Sequence, residues 1–319
     1  MSKLSIVCFG ALNVDLTFSV PDKLLTQLGY KPGHEYLGNE EELEKLLSTL
    51  HSQGRHIHRS GGGSAANTAV ALHRLGISTG YIGRAGDDQD GEFLLSSLEG
   101  VHKEAVFQAG RSGIAISLIT EENRDRSLVI FPNTNDDLTF EQIDLSYINS
   151  VQFLHLSSFF GNSPFEAQKK LVSKLPPNVS VSLDPGMPYV RRGLKALKPL
   201  LHKTFILFLE KKELEILTKK GYYQGSRELL YMGPKIVVCK MGSEGSHIFT
   251  YEDNFHVSPI KVSVVDTTGA GDVYAAGFLA YLIRGKSLRE CAQFATQIAC
   301  ISITGFGRSC YPKEPIIFD

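Results

Sequence analysis

Short apolar runs recur along this chain and are separated by longer segments with helical spacing. Residues 4–10 form the first such run, and later runs lie at 151–156, 179–183, 205–209 and 236–239. Segments with helical periodicity lie between the later runs, at 167–174, 190–201 and 211–219. Buried strands that alternate with helices are typical of parallel sheets covered by helices on both faces. The pattern predicts an α/β fold with a mostly parallel central sheet.

Two segments interrupt this alternation. Residues 17–60 contain a short apolar strand, a turn, and a helix expected to begin after Asn39 and to stop at Gly54. Residues 113–120 and 127–132 are alternating apolar strands that predict a hairpin. We expect these segments, about 17–60 and 112–132, to form a small β-rich lid over a site.

The sequence Asp-Thr-Thr-Gly-Ala-Gly-Asp at residues 266–272 precedes an apolar run at 273–283 with helical spacing. The first backbone N–H groups of a helix lack intrahelical partners and attract anions. Three small residues would let an anion approach these groups: Gly269, Ala270 and Gly271. Asp272 follows them, which suggests a base beside a phosphate, as phosphoryl transfer requires. The alternative is a glycine-rich turn that only caps a core helix.

Polar residues follow the first strand and open the next helix. Asn13 and Asp15 lie just beyond that strand, where ligands bind in open α/β sheets. The loop at residues 60–67 is rich in glycine and ends in Asn67, whose amide can donate and accept hydrogen bonds. This loop lacks the spacings of a Walker A loop and of a dinucleotide fingerprint. A turn aspartate and a flexible linker are the alternatives.

Composition excludes several classes of partner. Lys and Arg number 33 against 34 Asp and Glu, so no net charge favours nucleic acid or an anionic membrane. The 5 cysteines show no CxxC or metal-ligand spacing, as in proteins of a reducing compartment. No run reaches the ~18 apolar residues of a membrane span. We expect a cytoplasmic protein that binds neither nucleic acid nor membrane.

With these motifs in this order, the chain resembles the ribokinase-like (PfkB) family of small-molecule kinases, whose signature reads DTxGAGD. The resemblance covers nearly the whole chain and implies one kinase domain over residues 1–319. It implies a three-layer fold with helices on both faces of the sheet and a small lid. It also implies that Asp272 is the catalytic base and that Gly269, Ala270, Gly271 and Asp272 form an anion hole.

The resemblance assigns the remaining site residues as well. It implies that the acceptor is bound by Asn13, Asp15, Gly62, Gly63, Ser64, Asn67 and Arg126. ATP and Mg²⁺ are the implied cofactors, with nucleotide contacts from Lys240, Gly242, Gly245, Thr268 and Thr296 and a metal contact from Glu213. Two positions depart from the family pattern, because Glu210 replaces an asparagine and Lys240 a threonine. A monovalent cation near Asp266 and Thr268 is left open.

The lid and the Gly-Gly-Ser-Ala-Ala-Asn segment at 62–67 look like the adenosine kinase branch. The expected reaction is transfer of the γ-phosphoryl group of ATP to the 5′-hydroxyl of a purine nucleoside by a monomer or homodimer. A base would need an aromatic slot, for which the candidates are Phe18, Tyr30, Tyr36, Phe131 and Phe159. The alternatives are a kinase of a free sugar such as ribose or fructose, and a catalytically silent nucleotide-binding protein. A nicotinamide-dependent oxidoreductase is excluded by the lack of a strand-linked GxGxxG.

Overall fold

The computed structural model describes residues 4–122 and 126–313. Its strands are β1 (Ile6–Phe9), β2 (Asn13–Val20), β3 (Glu35–Leu37), β4 (Arg55–Gly62), β5 (Thr79–Ala85), β6 (His102–Gln108), β7 (Gly113–Thr120), β8 (Arg126–Phe131), β9 (Phe153–Ser157), β10 (Ser180–Asp184), β11 (Thr204–Glu210), β12 (Ile236–Lys240), β13 (Ser246–Phe249) and β14 (Asn254–Val257). Its α-helices are α1 (Asp22–Gln27), α2 (Glu40–Gln53), α3 (Ser64–Arg74), α4 (Gln89–Ser97), α5 (Asn162–Lys174), α6 (Gly186–Val190), α7 (Gly193–Lys203), α8 (Lys211–Thr218), α9 (Tyr222–Leu230), α10 (Ala270–Ile283) and α11 (Leu288–Ser302). Short 3-10 helices cover Asn133–Asp137, Phe140–Gln142, Leu145–Tyr147 and Gly242–Glu244.

Nine strands form the large sheet in the order β14-β13-β12-β11-β10-β9-β1-β5-β6. Neighbouring strands from β12 to β6 run parallel, whereas β13 and β14 pair antiparallel at one edge. The carboxyl ends of the parallel strands therefore lie along one edge of the sheet. The predicted α/β fold, with a mostly parallel sheet and helices on both faces, is confirmed.

The large sheet separates two hydrophobic layers. In β1, Ile6 and Cys8 pack in one layer, and Val7 and Phe9 pack in the other. The first layer contains the apolar faces of α3, α10 and α11, and the second contains those of α5, α7, α8 and α9. Burial on both faces explains why these strands read as continuous apolar runs.

A second sheet of five strands has the order β3-β8-β7-β2-β4. Strand β2 pairs parallel with β7 and antiparallel with β4, so the two segments predicted as a lid are joined within one sheet. Helix α2 begins after Asn39 with a capping box to Glu42 and ends before Gly54, as predicted. Closure of this sheet over a ligand stays a prediction.

Helix α10 carries the central motif and is buried along most of its length, from Val273 to Ala280. It packs between α3 and α11, and the ring of Tyr281 stacks on that of Phe294 with centroids 3.8 Å apart. A helix that is apolar all round is expected in such a position. Its N-terminus is thereby fixed at the ligand-binding edge of the sheet.

Some elements differ from the sequence prediction. The helix predicted over 190–201 is α7, which begins at Gly193, where φ is +79, and the separate helix α6 that ends at Val190 was not predicted. Strand β6 was not predicted, because as an edge strand it exposes much of its surface and lacks a continuous apolar run. No described helix is both long enough and apolar enough to cross a bilayer.

Candidate active site

A cavity of about 680 Å³ lies between the carboxyl edge of the large sheet and the second sheet. Residues of both sheets line it, including Thr17 and Ser117 of the second sheet and Asp184 of the large one. Most of the predicted site residues line the same cavity: Asn13, Asp15, Gly63, Ser64, Asn67, Arg126, Glu213, Lys240, Thr268, Gly269, Gly271 and Asp272. Residues that are far apart in sequence are therefore brought to one place.

Five predicted residues are not part of this lining. Gly62 packs against the carboxylate of Asp15, and Ala270 is the first residue of α10. Gly242 and Gly245 form a turn after β12. The Thr296 hydroxyl is buried and donates to the carbonyl of Ala292 at 2.9 Å, so its polar group is used within α11.

The N-terminus of α10 opens into the cavity. Gly269 is its N-cap and has φ +78, in the left-handed region that glycine favours. A side chain at Gly269 would also collide with the hydroxyl of Tyr311. A Cβ at Gly271 would lie 2.9 Å from Nζ of Lys240, so the first turn of α10 faces a cation. The positive end of the helix dipole and this amine together favour an anion here.

The Asp272 carboxylate accepts two hydrogen bonds from the first turn of α3. Ser64 Oγ donates to Oδ1 at 2.6 Å, and Asn67 Nδ2 donates to Oδ2 at 2.8 Å. Burial raises the pKa of Asp272 to about 6, and the hydrogen bonds from Ser64 and Asn67 oppose that rise. The carboxylate is ionised at neutral pH yet more basic than an ordinary aspartate, as a general base requires.

Arg308 does not line the cavity and contacts α3 and the end of α4. Its Nε donates to Oδ1 of Asn67 at 2.9 Å, and its Nη1 donates to the carbonyl of Ser97 at 2.9 Å. Arg308 belongs to the turn at 305–312 and is not among the site residues predicted from the sequence. The sequence offers one signal for this residue, which is a charge between glycine and aromatic residues. No local pattern indicates that its partner is Asn67, 241 positions away.

Asp15 lies on β2 and is half-buried in the wall of the cavity. Burial raises its pKa to about 7, while the charges of Arg308 and Arg126 act in the opposite direction. A side chain at Gly62 would overlap its carboxyl group, so glycine is required opposite Asp15. Nearby, Asn13 Oδ1 accepts a hydrogen bond from Asn135 Nδ2 at 2.9 Å. This arrangement presents carboxylate and amide groups suited to hydroxyl ligands.

A second group of charges lies at the ends of β10, β11 and β12. Lys240 Nζ donates to Oδ2 of Asp184 at 2.6 Å, and both side chains are largely buried, with exposures of 12% and 8%. Burial alone would lower the pKa of Lys240, but the charges of Asp184 and Glu213 raise it above its ordinary value. Lys240 therefore does not extend into bulk solvent.

Glu213 and Glu210 belong to the same corner of the cavity. Glu213 accepts a hydrogen bond from the backbone N–H of Glu210 at 2.9 Å, which caps α8. Burial raises the pKa of Glu213 to about 8, and the charge of Asp184 adds to the rise. Within residues 4–122 and 126–313, no group of three or more histidine, cysteine, aspartate or glutamate side chains could hold a metal ion by itself.

Arg126 connects the second sheet to the central motif. Its Nη1 donates to Oγ1 of Thr268 at 2.5 Å, and that hydroxyl donates to Oδ1 of Asp266 at 2.6 Å. The arginine predicted from the lid hairpin thus contacts the loop that precedes the α10 N-terminus.

The aromatic residues proposed for a base slot are not among the cavity-lining residues. Phe18, Phe131 and Phe159 are fully buried in the hydrophobic layers, and Tyr30 packs against Tyr36 with centroids 4.8 Å apart. The second sheet instead presents both polar and aliphatic side chains to the cavity: Thr17, His58, Ser60, Ala115, Ser117, Leu128 and Ile130.

Comparison with known proteins agrees with this geometry. Residues 34–314 match the model of the pfkB family of carbohydrate kinases. The chain belongs to that family. Its members transfer a phosphoryl group to an alcohol, so the protein is a kinase.

Two curated relatives are sugar kinases. The kinase is 37% identical over 244 residues to an uncharacterized sugar kinase from Archaeoglobus fulgidus, covering 75% of this chain and 96% of that protein. It is 32% identical over 257 residues to an ATP-dependent ribose-1-phosphate kinase from Halopiger xanaduensis, covering 78% of this chain and 82% of the relative.

Among solved structures, the adenosine kinase from Sinorhizobium meliloti superposes with a TM-score of 0.86 at 24% identity. The superposition covers 99% of this chain and 97% of that structure. At this identity the likeness shows the fold, and the ribokinase-like fold predicted from the sequence is confirmed.

Proposed function

We propose that this kinase transfers the γ-phosphoryl group of ATP to the primary hydroxyl of a pentose sugar. The observation that carries the proposal is the Asp272 carboxylate, which is held by Ser64 and Asn67 in the first turn of α10. A base and an anion site in contact are the two parts that phosphoryl transfer to an alcohol needs.

In the proposed reaction, Asp15 and Asn13 bind sugar hydroxyls and hold the primary hydroxyl toward Asp272. Asp272 takes the hydroxyl proton as the oxygen attacks the γ-phosphorus, and ADP leaves. The N–H groups from Gly269 to Asp272 donate to the transferring phosphoryl group, whose charge they stabilise. Gly62 and Gly63 leave room for the Asp15 carboxylate and the Ala11 carbonyl, and Gly271 leaves room for Lys240 and the phosphates.

The charged corner is proposed to hold the phosphates. Lys240 Nζ lies next to Gly271 and would neutralise charge on the γ-phosphate once nucleotide displaces its contact with Asp184. Thr268, Gly242 and Gly245 stay proposed as nucleotide contacts, and Thr296 stays proposed as a contact of the adenine base of ATP. Arg126 is close enough to the central motif to reach the substrate when the second sheet closes.

The donor set fits Mg²⁺, because carboxylates of Asp184, Glu210 and Glu213 line the cavity and this ion prefers oxygen ligands. Glu213 would hold the ion together with the phosphates and water. Bound Mg²⁺ would supply positive charge that neutralises the phosphate oxygens. A monovalent cation near Asp266 stays a proposal without further support.

The polar residues of the second sheet favour a sugar as the acceptor. Thr17, Ser60 and Ser117 line the cavity on the side where Asp15 lies, and they can bind hydroxyl groups. The two curated relatives described above, one named as a sugar kinase and the other as a ribose-1-phosphate kinase, support the same acceptor class.

A purine nucleoside, phosphorylated at its 5′-hydroxyl, is the second candidate. The observation that favours it is the aliphatic strip of Ala115, Leu128 and Ile130, on which a base could pack. The absence of the five candidate aromatic side chains from the lining places this acceptor second.

The test is an ADP-release assay with ATP, Mg²⁺ and a panel of acceptors: ribose, ribose 1-phosphate, fructose, adenosine and inosine. We expect a pentose to stimulate ADP release above the rate with ATP alone, and the Asp272→Asn variant to abolish the stimulation. Stimulation by nucleosides alone would replace the first candidate with the second. ATP binding without stimulation by any acceptor would contradict the proposal and favour a silent nucleotide-binding protein.

A further inference from the structure

Arg308 is an internal cation that the proposed reaction does not use. It is 7% exposed although no carboxylate accepts a hydrogen bond from it among the described residues, and its Nη2 has no partner there. Burying a guanidinium in this way is costly. Its contacts with Asn67 and Ser97 join the turn at 305–312 to the first turn of α3 and the end of α4.

The amide of Asn67 lies between two groups with opposite requirements. Arg308 can only donate hydrogen bonds, and an ionised carboxylate can only accept them. Asn67 therefore presents Oδ1 to Arg308 at 2.9 Å and Nδ2 to Asp272 at 2.8 Å. Rotation of the amide by half a turn would place its oxygen against the Asp272 carboxylate and its NH₂ group against the guanidinium.

We propose that Arg308 is a positioning residue for the catalytic base, because it fixes the orientation of the Asn67 amide that holds Asp272. This inference rests on the proposed function. Arg308 is absent from the cavity lining and touches neither the carboxylate of Asp272 nor the expected position of the phosphoryl group. It acts through the amide, and it orients Asp272 toward the acceptor hydroxyl.

The main test compares Arg308→Met with Arg74→Met. Arg74 Nη1 donates to the carbonyls of Arg308 and Tyr311 at 2.7 and 3.2 Å, so it anchors the same turn without touching Asn67. We expect Arg308→Met to lower kcat by about 10- to 100-fold, since small misplacements of a catalytic group have effects of this size. The Michaelis constant for ATP should stay near the wild-type value. Arg74→Met should lower the melting temperature and leave kcat near wild type.

A double-mutant cycle tests whether Arg308 acts through the amide. In an Asn67→Ala background, Arg308→Met should change kcat by less than about twofold, because the group through which it acts is gone. Full additivity of the two effects would overturn the inference. Equal losses of kcat in Arg74→Met and Arg308→Met would also overturn it, because a disturbed turn at 305–312 would then explain both losses.

Two more variants keep the test usable if the methionine variant does not fold. Arg308→Lys retains a charged donor and should restore most of kcat relative to methionine. Arg308→Gln keeps a polar group in the buried position and should lower kcat in the same direction as methionine, because glutamine can also accept a hydrogen bond. A lysine variant as inactive as a well-folded glutamine variant would contradict the role of a donor at this position.

Failure of the inference can be told from failure of the proposed function. If wild-type protein does not phosphorylate any acceptor, the proposed function fails and the Arg308 variants carry no information on kcat. If wild type is active and Asp272→Asn is not, while Arg308→Met keeps full kcat, only the role of Arg308 fails. A melting curve for each variant ensures that folded proteins are compared.

Discussion

The two ends of the active-site cavity hold their carboxylates by different means. Asp272 is held by neutral donors, the hydroxyl of Ser64 and the amide of Asn67. Asp184 instead pairs with a full cation, Lys240, at 2.6 Å. Neutral donors orient a carboxylate while leaving it basic, whereas a cation in contact stabilises the charged form much more strongly. The first arrangement agrees with the proposed role of Asp272 as a base. The second keeps the Lys240 cation at the place where the phosphates are proposed to bind.

The largest effect is expected at Asp272, the proposed base. Asp272→Asn keeps the shape of the side chain but removes its ability to accept a proton, so turnover should fall by roughly 10²–10⁴. ATP affinity, measured by calorimetry, should be largely kept because the N–H groups of α10 are unchanged. Turnover equal to wild type would show that Asp272 is not the base. The contrast between the Asp272 and Asp184 carboxylates would then have no bearing on catalysis.

Blocking the anion site should have a comparable or smaller effect. In Gly271→Val the added side chain would meet Lys240, because a Cβ there lies only 2.9 Å from Nζ. We expect kcat to fall by about 10²–10³, the usual effect of losing one donor to a developing charge. Single-turnover kinetics with the best acceptor would measure it. Normal turnover would place the phosphoryl group elsewhere.

Breaking the buried ion pair should affect stability. Lys240→Met leaves Asp184 without its cation in a place where its side chain is 8% exposed. The free energy of unfolding should fall by roughly 3 kcal/mol, as for other broken buried pairs. The control is Lys170→Met, whose pair with Glu141 is exposed at 48% and 70% and should contribute less than about 1 kcal/mol. Equal urea-unfolding midpoints for the two variants would contradict the expected difference in stability between a buried and an exposed ion pair.

The smallest effect is expected from one neutral donor. Ser64→Ala removes a hydrogen bond that favours ionised Asp272, so the pKa of Asp272 should rise further above about 6. Because the base works only when ionised, kcat/KM should fall more at pH 6 than at pH 8. A pH profile would show the acid limb at higher pH than in wild type. Thr68→Val is the matched control, since the Thr68 hydroxyl donates to the backbone carbonyl of Asp272 and not to its carboxylate.

Local patterns in the sequence predict one side of this comparison well. The signature at 266–272 precedes an apolar helical run, and α10 begins within it as predicted. The loop predicted over residues 60–67 is shorter in the structure, because β4 continues to Gly62 and α3 already begins at Ser64. Parallel strands carry their following residues to one edge, which is why Asp15, Asp184 and Lys240 lie around one cavity. The roles of the individual site residues stay predictions.

The remaining features depend on tertiary contacts that leave no local trace. The pairing of Lys240 with Asp184 requires that β12 and β10 lie on either side of β11, which no single segment encodes. The aromatic residues were expected at a ligand, but packing between the layers takes up Phe18, Phe131 and Phe159. Composition shows that such residues exist and does not show which surface they cover.

The contact of Arg308 with Asn67 also has a consequence for the order in which the protein is made. The first turn of α3 leaves the ribosome long before the turn at 305–312, and 241 positions separate the two residues. A growing chain can form the first strands of the large sheet. Asn67 cannot accept its hydrogen bond from Arg308, however, until residue 308 has been synthesised. The nascent kinase is therefore expected to acquire full activity only after residue 308 has been synthesised.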